Sequence, residues 1–155
     1  VSLPEVSVVV PVYNGEMDLP ELIECLRSQT YPIDSVEYLL VDNKSRDRTS
    51  TILQTAASNP PSVPPLVRGG SNFNQITIRH LTENQIQSSY AARNKGIRAS
   101  TGEIIAFTDA DCRPESDWLE NLVKPFLDVE IALSAGEILA LPGKTIFEQH
   151  AERSN

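Results

Sequence analysis

The chain has 155 residues, of which 40% are apolar and 22% charged, enough for one globular domain with a hydrophobic core. Its 21 acidic residues outweigh 13 basic ones, a net charge of -8 that excludes a nonspecific nucleic-acid binder needing a basic face against phosphates. No apolar run approaches the roughly 18 to 20 residues needed to cross a bilayer, so no transmembrane segment is expected in this chain.

Val6-Ser7-Val8-Val9-Val10 is β-rich and apolar on both faces, which predicts a buried parallel strand closed by Pro11. Leu19, Leu22, Ile23 and Leu26 then recur as one face of a helix, and Asp18 three positions before Glu21 predicts a capping box. A second strand is expected at Val36–Val41. A second helix begins near Asp47 and turns Ile52, Leu53, Ala56 and Ala57 inward. From Ser58 to Asn74, Pro60, Pro61, Pro64, Pro65, Gly69 and Gly70 break the pattern, as expected of a surface excursion. Ile76, Ile78 and Leu81 mark a third strand.

A small-residue helix over Ser88–Ala99 follows, with Ala92, Gly96 and Ala99 on one face for close approach to the sheet. The fourth strand, Glu103–Thr108, runs into Asp109-Ala110-Asp111. A last helix carries Trp118, Leu119, Leu122, Val123 and Phe126, and a fifth strand is expected within Ile131–Leu141. Four strand-helix alternations predict an α/β fold, an open, mostly parallel sheet with helices on both faces. Ligands of such sheets sit beyond the carboxyl ends of the strands.

Three polar tips fall at those ends: Pro11-Val12-Tyr13-Asn14-Gly15, Asp42-Asn43-Lys44-Ser45 and Asp109-Ala110-Asp111. On extended chain Asp109 and Asp111 leave on the same side, and their mutual repulsion invites a hard divalent cation, which takes carboxylate and phosphate oxygens together. Asp42 and Asn43 offer acceptors for a ring N–H, and the Asn43 amide offers donors to a base carbonyl; alternatively Asp42 caps the following turn. Tyr13 presents a stacking face or packs on the domain edge. Arg93 reaches toward the nucleotide side or pairs with an acidic residue, while Lys95 reads as a solvated charge. No glycine-rich dinucleotide loop and no Gly-Lys-Ser/Thr loop is present, and His80 and His150 belong to no metal signature. The opening Val1-Ser2-Leu3-Pro4-Glu5 lacks a secretory pattern, and Cys25 and Cys112 make no disulfide framework. Both features fit a cytoplasmic setting, including a peripheral place at the inner membrane face.

Taken with Ala91-Ala92-Arg93-Asn94-Lys95-Gly96-Ile97 and the Asp42–Thr49 run, these tips resemble the amino-terminal part of a GT-A-fold, family 2 glycosyltransferase, from Val6 to about Glu148. The resemblance implies a Rossmann-like nucleotide-diphospho-sugar transferase that inverts configuration at the sugar, with residues 1–155 as the nucleotide-sugar-binding part of a single domain whose acceptor-binding part is missing at the carboxyl terminus. By that likeness Pro11 and Tyr13 border the nucleobase, uracil first, and Asp42 or Asn43 bonds it. Arg93 lines the cleft, and Val12, Asn14 and Ala110 complete the donor-binding set. Asp111 ligates Mn²⁺ or Mg²⁺, with Asp109 supporting the metal or the ribose. The family often places a second acidic residue at Asn43 and a glycine at Lys44.

The implied partners are a nucleotide-sugar and a carbohydrate or lipid-linked acceptor, without nucleic acid. The general base is expected beyond Asn155, with Glu137 as a conceivable substitute. A donor-binding module without turnover is the alternative, and a nucleotidyltransferase a weaker one. A fifth strand left as an exposed edge would favour self-association.

Overall fold

The computed structural model describes residues 3–58 and 76–139. Within them lie β1 (Val6–Val12), α1 (Leu19–Arg27), β2 (Val36–Asp42), α2 (Thr49–Ser58), β3 (Thr77–Thr82), α3 (Ser89–Ala99), β4 (Ile104–Phe107) and α4 (Trp118–Val123). The surface excursion expected after Ser58 lies outside the described residues. The four strands are parallel in the order β3-β2-β1-β4.

The two faces of the sheet are covered unequally. Val6, Val8, Val10 and Val12 of β1 and Val36, Tyr38 and Leu40 of β2 share a core with Leu19, Leu22, Ile23 and Leu26 of α1, Leu53 of α2, and Leu119 and Val123 of α4. Each fully buried leucine of α1 contributes roughly 2 kcal/mol. The opposite face is covered by α3, whose buried residues are Ala91, Ala92 and Gly96. A Cβ built at Gly96 would collide with the Val9 side chain, so a hydrogen at this position is what lets the helix lie on the strand. Ser88 caps α3 by accepting from the Ala91 N–H.

Several local expectations are corrected. Pro11 does not close β1, which runs on to Val12. The Val9 carbonyl accepts from Thr108 and the Val12 carbonyl from Asn43, so Pro11 turns its ring nitrogen toward β4. Pairing with β4 has already ended at Val9, and the missing N–H therefore costs no ladder bond. The capping box at α1 does not form: Asp18 makes no side-chain cap, and its carboxylate bonds Arg113 instead, as does that of Glu21. Ala57 is exposed, because α2 turns Leu53, Ile52 and Ala56 toward the sheet. Pro125 follows α4 in a 3-10 turn, so Phe126 is not part of the helix.

The fifth strand is absent over residues 131–139, where Leu133, Ile138 and Leu139 are exposed; 140 and 141 lie outside the described residues. Only Ile131 and Ile138 of this stretch are β-branched, and Gly136 interrupts it; among the described residues the sheet ends at β4, with Ile105 and Phe107 partly exposed.

Candidate functional site

The strand order reverses between β1 and β4: from β1 the chain moves outward through β2 to β3, then crosses back through α3 to β4. Such reversals part the loops at the carboxyl ends of the strands and open a crevice there. An open cleft of about 400 Å³ lies at this point, and among its walls are Pro11, Val12, Tyr13, Asn43, Arg93, Asp109, Ala110 and Asp111. Eight of the expected residues thus meet in one place.

The Asp109–Asp111 segment is a turn, closed by the Cys112 N–H to the Asp109 carbonyl at 3.0 Å, and not the extended chain expected. Both aspartates still line the cleft, but in different electrostatic states. Asp109 receives Arg93 Nη2 at 2.6 Å. Among the described residues Asp111 has only the Cys112 thiol at 4.0 Å, too long to hold it firmly. The turn itself is braced from below by Arg113, which donates to the carbonyls of Ala110 (3.3 Å) and Cys112 (2.9 Å) and to the carboxylates of Glu21 (2.7 Å) and Asp18 (3.0 Å). Sequence reasoning missed this arginine; the only signal was its place directly after the polar tip.

Asp42 and Asn43 are both buried, and of the two roles open to Asp42 the structure shows the second. Asp42 accepts the Ser45 N–H at 3.0 Å, the turn-capping role, and is not among the cleft residues. Asn43 lines the cleft, but its amide N–H groups donate to the carbonyls of Glu83 (3.0 Å) and Ile86 (2.8 Å). That amide is therefore not available to donate to a base carbonyl; its oxygen remains as an acceptor. Lys44 stands at φ 61°, the left-handed region, which is a physical reason for a glycine at this place. Tyr13 lines the cleft and is half exposed.

Asn14, also left-handed at φ 48°, does not line the cleft. Its backbone N–H donates to Ser45 Oγ at 2.9 Å, and its Oδ1 accepts the Arg46 N–H at 2.8 Å. Gly15, Asp18 and Ser89 also line the cleft, though none was expected in the donor-binding set. Lys95 is exposed, as expected of a solvated charge. Glu137 is exposed in the unpaired stretch after α4 and does not reach the cleft.

The donor set can be tested against a divalent ion. Among the described residues no group of three metal-ligating side chains converges. One free carboxylate and a second one paired to arginine do not cage a cation. They do fit an ion that takes most of its oxygens from a diphosphate and water, the usual habit of Mg²⁺.

The model of glycosyl transferase family 2 matches residues 7–154. Glycosyltransferase AglE of Haloferax volcanii is 36% identical over 137 residues, 88% of this chain and 40% of its own length. An undecaprenyl-phosphate 4-deoxy-4-formamido-L-arabinose transferase of Pseudomonas aeruginosa is 32% identical over 120 residues, 77% of this chain and 31% of its own. Among solved structures, the mannosyltransferase PcManGT from Pyrobaculum calidifontis, in complex with GDP-Man and Mn²⁺, superposes with a TM-score of 0.69 at 30% identity, covering 82% of this chain and 33% of that one. The chain thus spans 40% or less of the length of these relatives.

Proposed function

The chain belongs to glycosyl transferase family 2, and from that premise we propose that it binds the donor for an inverting transfer of sugar from a nucleoside diphosphate to an acceptor hydroxyl. The observation that carries this reading is the cleft between β1 and β4, lined both by a half-exposed Tyr13 and by a carboxylate, Asp111, that has no ion pair among the described residues.

In this reading the base lies against Tyr13 and Pro11, and Asn43 Oδ1 accepts its ring N–H. The diphosphate extends toward the 109–111 turn. Asp111 holds a Mn²⁺ or Mg²⁺ ion jointly with the diphosphate, and Arg93 keeps Asp109 neutralised beside it. Bound there, the cation offsets the charge that develops on the leaving diphosphate. The complex of the Pyrobaculum mannosyltransferase with GDP-Man and Mn²⁺ supports the ligand class. Residues 1–155 are the nucleotide-sugar-binding part of a longer glycosyltransferase domain, and the base that deprotonates the acceptor belongs to the rest of that domain. The undecaprenyl-phosphate transferase supports a lipid-linked acceptor.

Uridine is the proposed nucleoside. Guanosine is the second reading, favoured by the occupied Asn43 amide: Asn43 keeps an acceptor but no donor, and a guanine edge offers it N–H donors from two nitrogens where uracil offers one. Titration calorimetry with UDP and GDP, in Mn²⁺ and in chelator, tests the proposal. Metal-dependent binding of one of them is expected. No binding of either in Mn²⁺ overturns it.

A further inference from the structure

The run Ser45-Arg46-Asp47-Arg48-Thr49 lies outside the cleft, yet it holds the loop that does form a cleft wall. Residues 14–16, which connect β1 to α1, are bound to it at successive backbone positions. The Asn14 N–H donates to Ser45 Oγ (2.9 Å), the Gly15 N–H to Thr49 Oγ1 (2.8 Å) and the Glu16 N–H to Asp47 Oδ2 (3.1 Å). In return, Asn14 Oδ1 accepts from Arg46 and Glu16 Oε2 from Arg48. Asp47 uses its other oxygen, Oδ1, on the Thr49 N–H at 2.9 Å, so one carboxylate ties the start of α2 to the neighbouring loop. Thr49 is fully buried, and the Gly15 bond is the buried member of the set.

A Cβ at Gly15 would stand 2.7 Å from Val12 Cγ1, so the loop passes closer to the strand tip than a residue with a side chain allows. Loop residues lose conformational entropy when they order on a ligand, and a loop ordered beforehand does not.

We propose that Asp47 and Thr49 are positioning residues for the nucleoside wall of the cleft: they hold residues 14–16 so that Val12 and Tyr13 stand ready for the base before the donor arrives. The inference rests on the nucleotide reading above. It assigns the base half of the site to the 45–49 run and leaves the diphosphate half to the 109–111 turn, whose carbonyls Arg113 holds.

The different supports of the two halves supply the test. Binding of UDP, GDP and inorganic pyrophosphate, each with Mn²⁺, is measured for the native chain and for Thr49→Val, Thr49→Ser and Asp47→Asn. Thr49→Val should weaken the preferred nucleotide about tenfold and leave pyrophosphate within twofold. Thr49→Ser, which restores the hydroxyl, should recover nucleotide affinity to within threefold. Asp47→Asn, at a partly exposed side chain, should show the same split and serves if Thr49→Val does not fold. Equal losses for nucleotide and pyrophosphate, or no loss for either, overturn the positioning role while leaving the nucleotide reading intact. A native chain that binds pyrophosphate but neither nucleotide overturns both.

Discussion

Arg93 on α3 and Asp109 after β4 meet at 2.6 Å in the cleft, and this contact divides a pair of aspartates two residues apart into unlike groups. One is neutralised by a guanidinium. The other, Asp111, is left facing solvent without an ion pair among the described residues. The two carboxylates therefore answer differently to substitution.

Asp111→Asn should abolish the metal dependence of nucleotide binding, weakening affinity in Mn²⁺ by tenfold or more, about 1.4 kcal/mol or above. Asp109→Asn should cost less, threefold or under, since its charge is already offset by Arg93. Calorimetry in Mn²⁺ and in chelator separates the two. Equal losses would show that both carboxylates ligate.

Arg93→Ala should act in opposite directions on two ligands. With the guanidinium gone, Asp109 and Asp111 repel each other, and bare Mn²⁺ should bind several-fold more tightly without nucleotide. Nucleotide diphosphate should bind more weakly, because a cation near its phosphates is lost. Electron paramagnetic resonance of free Mn²⁺ measures the first effect and calorimetry the second.

At the amino end of the sheet, remote from the cleft, Glu37 should dominate acid sensitivity. Burial pushes its carboxyl up, but hydrogen bonds from the Ser7 hydroxyl, Thr101 and Arg79 outweigh that and hold it down to about 2. A folded-state value below the usual 4.5 means the stabilisation is complete above pH 4.5 and disappears as pH falls toward 2. It amounts to about 3 kcal/mol. Glu37→Gln should lower stability at pH 7 by a similar order and flatten the acid limb of a denaturant-midpoint profile.

Gly96→Ala should destabilise the fold by about 1 to 3 kcal/mol, although alanine is the better helix former. The added methyl meets Val9 and forces α3 off the sheet. Val9→Ala in the same chain should recover part of the loss, as urea denaturation of the single and double variants would show. An unchanged midpoint for Gly96→Ala would mean that the helix is free to shift.

Much of the fold was legible because it depends on short-range pattern. The apolar runs of β1 and β2, the spacing of Leu19, Leu22, Ile23 and Leu26, and the small face of α3 each state which side must be buried. The family of the chain was legible too, in the order of its polar tips. Capping and edge pairing were not. Asp18 and Glu21 have the spacing of a capping box, yet Arg113, 92 residues beyond Glu21, supplies a charged partner that a backbone N–H does not match.

The sequence alone therefore determined the four strands β1 to β4, the helices and the gathering of polar residues at the carboxyl ends, since hydrophobic periodicity is written in neighbouring residues. Only the tertiary structure decided what each polar group has left to offer: that Asn43 keeps an acceptor but no donor, that Asp42 caps a turn, that Asn14 braces a loop, and that Asp111 rather than Asp109 stands free. A hydrogen-bonding group can serve a ligand only with the capacity its neighbours leave unfilled, and those neighbours come from distant parts of the chain.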